Sequence, residues 1–329
     1  MTDVERVLGQ LGLGSDARTW LAALDAVGPA GVDLPGADRL HRLLVKLGVP
    51  EPDLQPVVSA APTPATDPEL WWLLQRSVRL VALHLGGHGE MQPPFADLPW
   101  DLGPVARYFY VYVYVASLPS TLRHHRERGI PDDVSWATLA DLGDKMAMHR
   151  RAYGVGGLNK QNWLTLHLRG GIVTLGRLQF ALTDAAEYGG GPHGTPYEPV
   201  LGVHIPGGGQ LSPAACTTAF QQAPSFFAQH FPEHTASIAL CSSWLLDEQL
   251  AAYLPSESNI LRFQERFTLL SDTRDGDEDV LEFVAGRANF PWAELPRRTA
   301  LEKGIAGHLA NGRHFTVRTG WCPLVSTDC

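Results

Sequence analysis

The chain has 329 residues, a hydrophobic fraction of 44%, and 26 Lys and Arg against 35 Asp and Glu, for a formal net charge of -9. Apart from small groups at 123–128 and 297–298, its basic residues are scattered and form no stripe, which argues against a nucleic-acid partner. No apolar run reaches the roughly 18 residues that span a bilayer, and the N-terminus lacks a signal-peptide pattern. We therefore expect no membrane span and a cytoplasmic location.

The first part of the chain predicts helices. Apolar residues recur every three or four positions through residues 1–60 and again through residues 69–85, where two glycines end the pattern. The segment 108–115 instead alternates Tyr with Val or Phe, and this period of two predicts a strand. A buried helix through the same residues, kinked at Pro119, is the alternative. Ser135 is predicted to be the N-cap of a further helix.

The pattern changes after this helix to that of a mixed α/β domain. Gly170 and Gly171 lie between β-rich runs and predict a hairpin. Later segments predict, in chain order, a strand at 200–205, a helix from Ser212, a strand at 237–244, a helix at 247–255, strands at 261–270 and 280–286 around an acidic loop, and a final helix and strand. The predicted fold class is α+β, with a helical domain at residues 1–134 and a mixed α/β domain at residues 135–329.

A glycine loop between a strand and a helix is the most informative feature of the second domain. Gly207, Gly208 and Gly209 follow the strand at 200–205, and Ser212 with Pro213 begins the helix. Backbone N–H groups at such a helix start favour an anion, such as the phosphate of a pantetheine-bearing molecule. Neither GxxxxGK[ST] nor GxGxxG is present, so an NTPase or dinucleotide site is not indicated.

Several polar side chains around this loop are candidate catalytic groups. His204 precedes the loop and lies on the strand face opposite Val203, where it is either a structural histidine or a base that accepts a proton from an amine. Tyr253, on the predicted helix, is either packed or a proton donor. The four cysteines, Cys216, Cys241, Cys322 and Cys329, match no zinc pattern.

Longer segments of the chain carry a resemblance to a known family. They are NWLTLHLRG and LGRLQF in residues 162–180, VHIPGGGQLSP in 203–213, SFFAQHFPE in 225–233, CSSWLLDEQLAAYLPSESNILRFQERF in 241–267, and GHLANGRHF near the C-terminus. With these segments the chain resembles the two-domain GNAT-like N-acyltransferases of actinobacteria. In that family a helical N-acyltransferase N-terminal domain precedes a GNAT-like acyltransferase domain.

The resemblance implies transfer of an acyl group from a thioester donor to the amine of a peptide or other natural-product precursor by direct attack. The donor would be an acyl-pantetheine thioester, either acyl-CoA or an acyl carrier protein, with no tightly bound cofactor and no metal. The implied catalytic residues are His204 and Tyr253. The implied donor-binding residues are Ile205, Gly207, Gly208, Gly209, Gln210 and Ser212, and the substrate-orienting residues are Ser243, Trp244 and Glu265.

One departure from the family pattern concerns the phosphates of the donor. GNAT enzymes carry Q/R-x-x-G-x-G/A, whereas this chain has GGGQLSPA without the expected basic or amide residue before the glycines. This departure favours a carrier protein, which offers a single phosphate. Two other functions remain open on sequence alone. One is a hydrolase or thioesterase that uses Ser242 or Cys241 with His204, and the other is an inactive module that binds a carrier protein or peptide.

Overall fold

The computed structural model describes residues 2–324, and the chain divides into two compact units, Met1–Val173 and Thr174–Cys329. The first unit is built from helices. In chain order they are α1 (Asp3–Gln10), α2 (Ala17–Val27), α3 (Ala37–Lys46), α4 (Glu51–Ser59), α5 (Pro68–Leu83), α6 (Pro104–Arg107), α7 (Phe109–Glu127), α8 (Asp132–Leu139), α9 (Asp141–Tyr153) and α10 (Gln161–Arg169).

Helix α7 occupies the segment for which local rules predicted a strand, so that prediction was wrong and its helical alternative is confirmed. Residues 109–115 are buried on every side of the helix, which removes the 3.6-residue period from the sequence. The alternating tyrosines keep their hydroxyls paired inside this core. Tyr112 donates to the carbonyl of Val57 at 2.8 Å, and Tyr114 donates to that of Leu139 at 3.0 Å.

The unit boundary also differs from the prediction, which placed it between residues 134 and 135. Helix α10 packs on α5 and α7, and α8 packs on α7, so this stretch belongs to the first unit. Ser135 does not cap a helix. It lies buried inside α8, whose N-cap position is Pro131 and whose first turn carries Asp132 and Asp133.

The second unit contains one mixed sheet with helices. Its elements are β1 (Ile172–Leu175), β2 (Leu178–Asp184), β3 (Pro199–His204), α11 (Pro213–His230), β4 (Ile238–Ser243), α12 (Asn259–Gln264), β5 (Thr268–Asp275), α13 (Asp277–Ala285), α14 (Ala300–Ala310) and β6 (Thr316–Pro323). The strand order is β1-β2-β3-β4-β6-β5. Strand β3 pairs antiparallel with β2 and parallel with β4, and β6 runs antiparallel to both β4 and β5.

Four predicted elements in this half need correction. The predicted hairpin around Gly170 is instead the end of α10, with Gly170 in a left-handed C-cap, and the strand connection lies later at Gly176. The segment predicted as a strand at 261–270 begins as α12 and becomes β5 only at Thr268. The segment 280–286 is the end of α13 with its C-cap Gly286, and the acidic first turn of this helix favours a helix start. The helix predicted at 247–255 is a short 3-10 turn, Glu248–Ala252.

Two further expectations concerned buried cysteines and the absence of a membrane span. Cys216, Cys241 and Cys322 are buried and form no disulfide, whereas Cys329 lies outside the described residues. Across residues 2–324, no helix has the length and apolar character needed to cross a membrane.

Candidate functional site

The parallel strands β3 and β4 separate from each other in the middle of the sheet. Their parallel register contains two pairs, Leu201 with Ala239 and Gly202 with Leu240. Beyond them, β3 stays paired with β2 through His204, and β4 stays paired with β6 through Ser243. The outer edges are therefore held while the facing edges diverge. Backbone N–H and C=O groups at such an opening can pair with a ligand that carries amides.

The glycine loop follows β3 at this opening and is held by an arginine from the β1–β2 turn. The Arg177 guanidinium donates to the carbonyls of Pro206 at 3.0 Å and Gln210 at 3.1 Å. Gly208 has a φ of 75°, a backbone conformation that favours glycine. Glycines 207–209 and Gln210 are exposed, and Ile205 is half-buried against the apolar cluster of the second unit.

Helix α11 begins directly after the loop and has a second arginine at its first turn. The Ser212 hydroxyl accepts from the N–H of Ala215 at 3.3 Å, which confirms the predicted N-cap. The Arg266 guanidinium donates to the Pro213 carbonyl at 2.8 Å and to the Thr217 hydroxyl at 2.7 Å. One cation therefore lies beside the exposed glycines and a second lies at the first turn of the helix that follows them. Together with the positive end of the helix they favour an anion.

His204 is the last residue of β3, and it is half-buried. Gln179 lies opposite it in the register with β2. Its backbone is therefore fixed on the β2 side, while the β4 side lies in the diverging part of the sheet. This position beside the opening is compatible with the predicted catalytic base, and its role stays a prediction.

Tyr253 follows the 3-10 turn and is held against α14. Its hydroxyl lies 2.8 Å from Nδ1 of His308, and the two rings meet edge to face at 5.5 Å between centroids. A Cβ on Gly304 would lie 2.6 Å from the Cβ of Tyr253, so this glycine permits the close approach of the phenol to the helix. Tyr253 is half-buried, whereas His308 is 1% exposed. The phenol is thus fixed in place by a buried imidazole.

The predicted substrate-orienting residues occupy three different environments. The Ser243 hydroxyl accepts from the N–H of Leu245 at 3.1 Å and begins a short 3-10 turn. Trp244 is 4% exposed and packs edge to face with Phe315. Glu265 is exposed and forms an ion pair with Arg262 at 3.0 Å. Of the three, Glu265 alone presents an exposed charge, and all three roles stay predictions.

The environment of Cys241 argues against the cysteine form of the hydrolase alternative. This side chain is 1% exposed, and burial raises the pKa of its thiol to about 12, with a further contribution from Cys322. A thiolate nucleophile needs a lowered pKa and access to substrate, and this site offers neither. Ser242 is exposed at the end of β4, where it pairs with Thr319 of β6.

Sequence reasoning missed three residues that the structure brings to the candidate site: Arg177, Arg266 and His308. Each is far from its partner in sequence. The separation is 29 residues between Arg177 and Pro206 and 55 residues between Tyr253 and His308. The only signal in the sequence was indirect. A glycine loop without a local cation needs one from elsewhere if it is to hold a phosphate, and the turn LGRL offers an arginine.

Comparison with family models divides the chain in two adjoining parts. Residues 38–170 match the N-acyltransferase N-terminal domain, and residues 172–322 match the GNAT-like C-terminal domain. The two matches meet close to the division between the compact units at Val173 and Thr174. A comparison with curated proteins gives no match.

Solved structures of acyltransferases are similar over nearly the whole chain. One, in complex with decanoyl-CoA and teicoplanin, is 44% identical with a TM-score of 0.91, and the match covers 98% of this chain and 100% of that chain. A mutant acyltransferase in complex with octanoyl-CoA and an acyltransferase in complex with CoA and 10C-teicoplanin are each 43% identical, with the same TM-score and coverage.

The fold and these matches define an acyltransferase with a GNAT-like domain. The chain belongs to the family of two-domain N-acyltransferases that join an N-acyltransferase N-terminal domain to a GNAT-like C-terminal domain. It is an enzyme that moves an acyl group from a thioester donor to an amine. The family resemblance and the α+β fold class predicted from the sequence are confirmed.

Proposed function

We propose that the enzyme transfers a medium-length acyl group from acyl-CoA to an amine of teicoplanin or a related natural product. The observation that carries this proposal is the divergence of β3 from β4 directly before a glycine loop that Arg177 holds. Relatives at 43–44% identity are bound to octanoyl-CoA, decanoyl-CoA and teicoplanin, which supports both the donor and the acceptor class.

The donor is proposed to lie along the diverging strand edges with its phosphates at the glycine loop. The amides of pantetheine would pair with the facing edges of β3 and β4 beyond Gly202 and Leu240. The phosphates would meet the N–H groups of residues 207–212 and the start of α11. Arg177 donates hydrogen bonds to loop carbonyls, and its positive charge lies beside the loop, where it would offset the charge of the phosphates.

The proposed reaction is a direct attack in which bonds and protons balance. The amine nitrogen attacks the thioester carbonyl carbon, a C–N bond forms, and the C–S bond breaks. His204 takes the proton that the amine loses, and the Tyr253 hydroxyl gives a proton to the leaving CoA thiolate. No acyl-enzyme forms, in keeping with the buried Cys241 thiol and its pKa of about 12.

Three residues are proposed to help place the acceptor. Glu265 would exchange its exposed ion pair with Arg262 for one with the acceptor ammonium, because an exposed ion pair contributes little to stability. Ser243 and Trp244 would act by fixing the end of β4, since one caps the following turn and the other fills the apolar cluster.

The structure supplies the positive charge whose absence from the sequence motif favoured a carrier protein as donor. That preference rested on the absence of a basic residue before the glycines, and Arg177 and Arg266 supply two cations from other parts of the chain. We therefore propose acyl-CoA as the donor. Equal or better turnover of decanoyl-CoA, compared with a decanoyl-loaded carrier protein, is expected in a side-by-side assay.

The proposed function is tested by incubating the enzyme with decanoyl-CoA and a form of teicoplanin whose acyl-bearing amine is free. Mass spectrometry should show one added decanoyl group on the acceptor, and a thiol reagent should show one free CoA per product. Release of CoA without an acylated acceptor would indicate hydrolysis. Absence of any CoA release with octanoyl-CoA and decanoyl-CoA would contradict the proposed donor.

Replacing Arg177 by methionine should raise the KM for decanoyl-CoA about tenfold, because both loop geometry and charge at the phosphates are lost. Decanoyl-pantetheine, which lacks the phosphates, is the matched donor, and its KM should stay close to the wild-type value. Steady-state kinetics with both donors provides the measurement. An equal rise for both donors would mean that Arg177 supports the strand opening rather than the phosphates.

A further inference from the structure

A groove with a volume of about 650 Å³ lies in the helical unit, lined by α3, α7 and α8. Its floor is apolar. Helix α7 contributes Val115, Leu118 and Leu122, spaced three and four residues apart on one face, α3 contributes Leu43, and α8 contributes Trp136. Nothing in the proposed acyl-transfer chemistry uses this groove.

Basic side chains from two helices line the same groove. Arg39, Arg42 and Lys46 follow one another along α3, and Arg123 and Arg126 lie on α7. All five are exposed, and Asp33 is the one acidic side chain among the lining residues. This concentration of positive charge stands out in a chain with a formal net charge of -9.

These cations are not neutralised within the described part of the chain. None of the five forms an ion pair with a described carboxylate. Two of them have other contacts: the Lys46 ammonium lies 3.7 Å from the centroid of the Trp136 ring, and Arg126 donates to the carbonyl of Leu122 at 3.1 Å. Arg39, Arg42 and Arg123 therefore keep their hydrogen-bonding capacity for a ligand.

We propose that this groove binds an acidic amphipathic helix of a partner protein. The cations do not converge on one point. Arg39, Arg42 and Lys46 extend about 10 Å along α3. Helix α7 adds Arg123 and Arg126, about 5 Å apart at one end of a lining face about 16 Å long. Cations from two helices around one apolar floor match a helix with an apolar stripe flanked by carboxylates. A small anion would use only part of such an extended site.

The test uses a fluorescein-labelled synthetic peptide of about four helical turns, with leucines on one face and glutamates elsewhere. Two control peptides separate the contributions: a scrambled peptide with the same charge but no apolar face, and a peptide with glutamine in place of every glutamate. Fluorescence polarisation should show that the acidic amphipathic peptide binds about tenfold more tightly than either control.

Arg39→Glu with Arg123→Glu removes one cation from α3 and one from α7 and should weaken binding of the acidic amphipathic peptide about 30-fold. Arg79→Glu with Arg151→Glu is the matched control, since it makes the same charge change at exposed positions outside the lining. This control should bind the peptide like the wild type. Circular dichroism of both variants should give unchanged melting temperatures.

Several outcomes would overturn the proposal. They are equal binding of the scrambled peptide, equal loss in the Arg79/Arg151 control, and displacement of the peptide by inorganic pyrophosphate at the same concentration as by unlabelled peptide. Tighter binding to vesicles that contain phosphatidylglycerol than to the peptide would reassign the groove to a lipid surface. Peptide binding and decanoyl-CoA turnover are measured in separate assays. A failure of the proposed acyl transfer is therefore distinguished from a failure of the proposed groove.

Discussion

Replacing Tyr253 by phenylalanine is expected to lower kcat with decanoyl-CoA about 100-fold while leaving the KM for the donor close to wild type. Phenylalanine keeps the ring that packs against Gly304 and removes only the hydroxyl that lies 2.8 Å from His308. The initial rate of CoA release at saturating concentrations of donor and acceptor gives kcat.

The expected effect follows from how His308 positions the phenol. Its Nε2 is buried and has no hydrogen-bond partner among the described residues. A buried lone pair without a partner is tolerated better than a buried N–H without one. The tautomer with hydrogen on Nδ1 is therefore favoured, and it donates to the Tyr253 oxygen. The phenolic hydrogen is then free to protonate a leaving thiolate.

A donor with a better leaving group separates this role from packing. The thiolate of a nitrophenyl thioester leaves without protonation, so the deficit of Tyr253→Phe should largely disappear with decanoyl nitrothiophenol. His308→Asn should show the same dependence on the donor, because it disturbs the same hydroxyl. A deficit of equal size with both thioesters would assign Tyr253 a positioning role and remove the proton transfer.

The parts of the fold that the sequence predicted correctly carry their signal locally. The strands that became β3 and β4, the glycine loop and the Ser212 cap form one continuous segment, so adjacent residues define each of them. This is also why the donor-binding prediction falls on one connected surface, residues 205–212.

Helix α7 shows why other elements could not be predicted in the same way. Local rules assume that one face of a helix meets water, and α7 is surrounded by the core through residues 109–115. Its alternation of Tyr with Val or Phe resembles a strand. The tyrosines are tolerated on every side of the helix because their hydroxyls bond to different neighbours, such as the carbonyls of Val57 and Leu139. Tertiary burial therefore decided the secondary structure.

The site residues that were not predicted from the sequence are also placed by tertiary contacts. Arg177 and Arg266 reach the glycine loop and α11 from separate elements, and His308 reaches Tyr253 from α14. Contacts between residues so far apart in the chain are set by the sheet order and by close approaches such as that at Gly304. No spacing within a motif encodes them.

Replacing His204 by alanine is expected to lower kcat/KM for the acceptor about 100-fold near neutral pH. The acceptor amine is largely protonated there, and attack on the thioester requires the neutral amine. His204 ends β3 at the opening from β4, where an imidazole can take this proton beside the bound thioester. CoA release measured across a range of acceptor concentrations gives kcat/KM.

The pH dependence of the loss in kcat/KM of His204→Ala tests whether His204 acts as a general base. At higher pH more of the acceptor amine is already neutral, so the His204→Ala enzyme should approach the wild-type rate as pH rises toward the pKa of the amine. The backbone pairing of His204 with Gln179 does not depend on the side chain, so β3 should keep its place in the sheet, and the melting temperature of the variant checks this.

His204→Gln distinguishes a base from a structural hydrogen-bonding residue at the end of β3. Glutamine retains donors and an acceptor at this half-buried position but cannot take a proton from an amine. It should therefore be as impaired as the alanine variant and should show the same recovery at high pH. Restoration of activity by glutamine, or a deficit of constant size at every pH, would mean that His204 supports the strand and that another group accepts the proton.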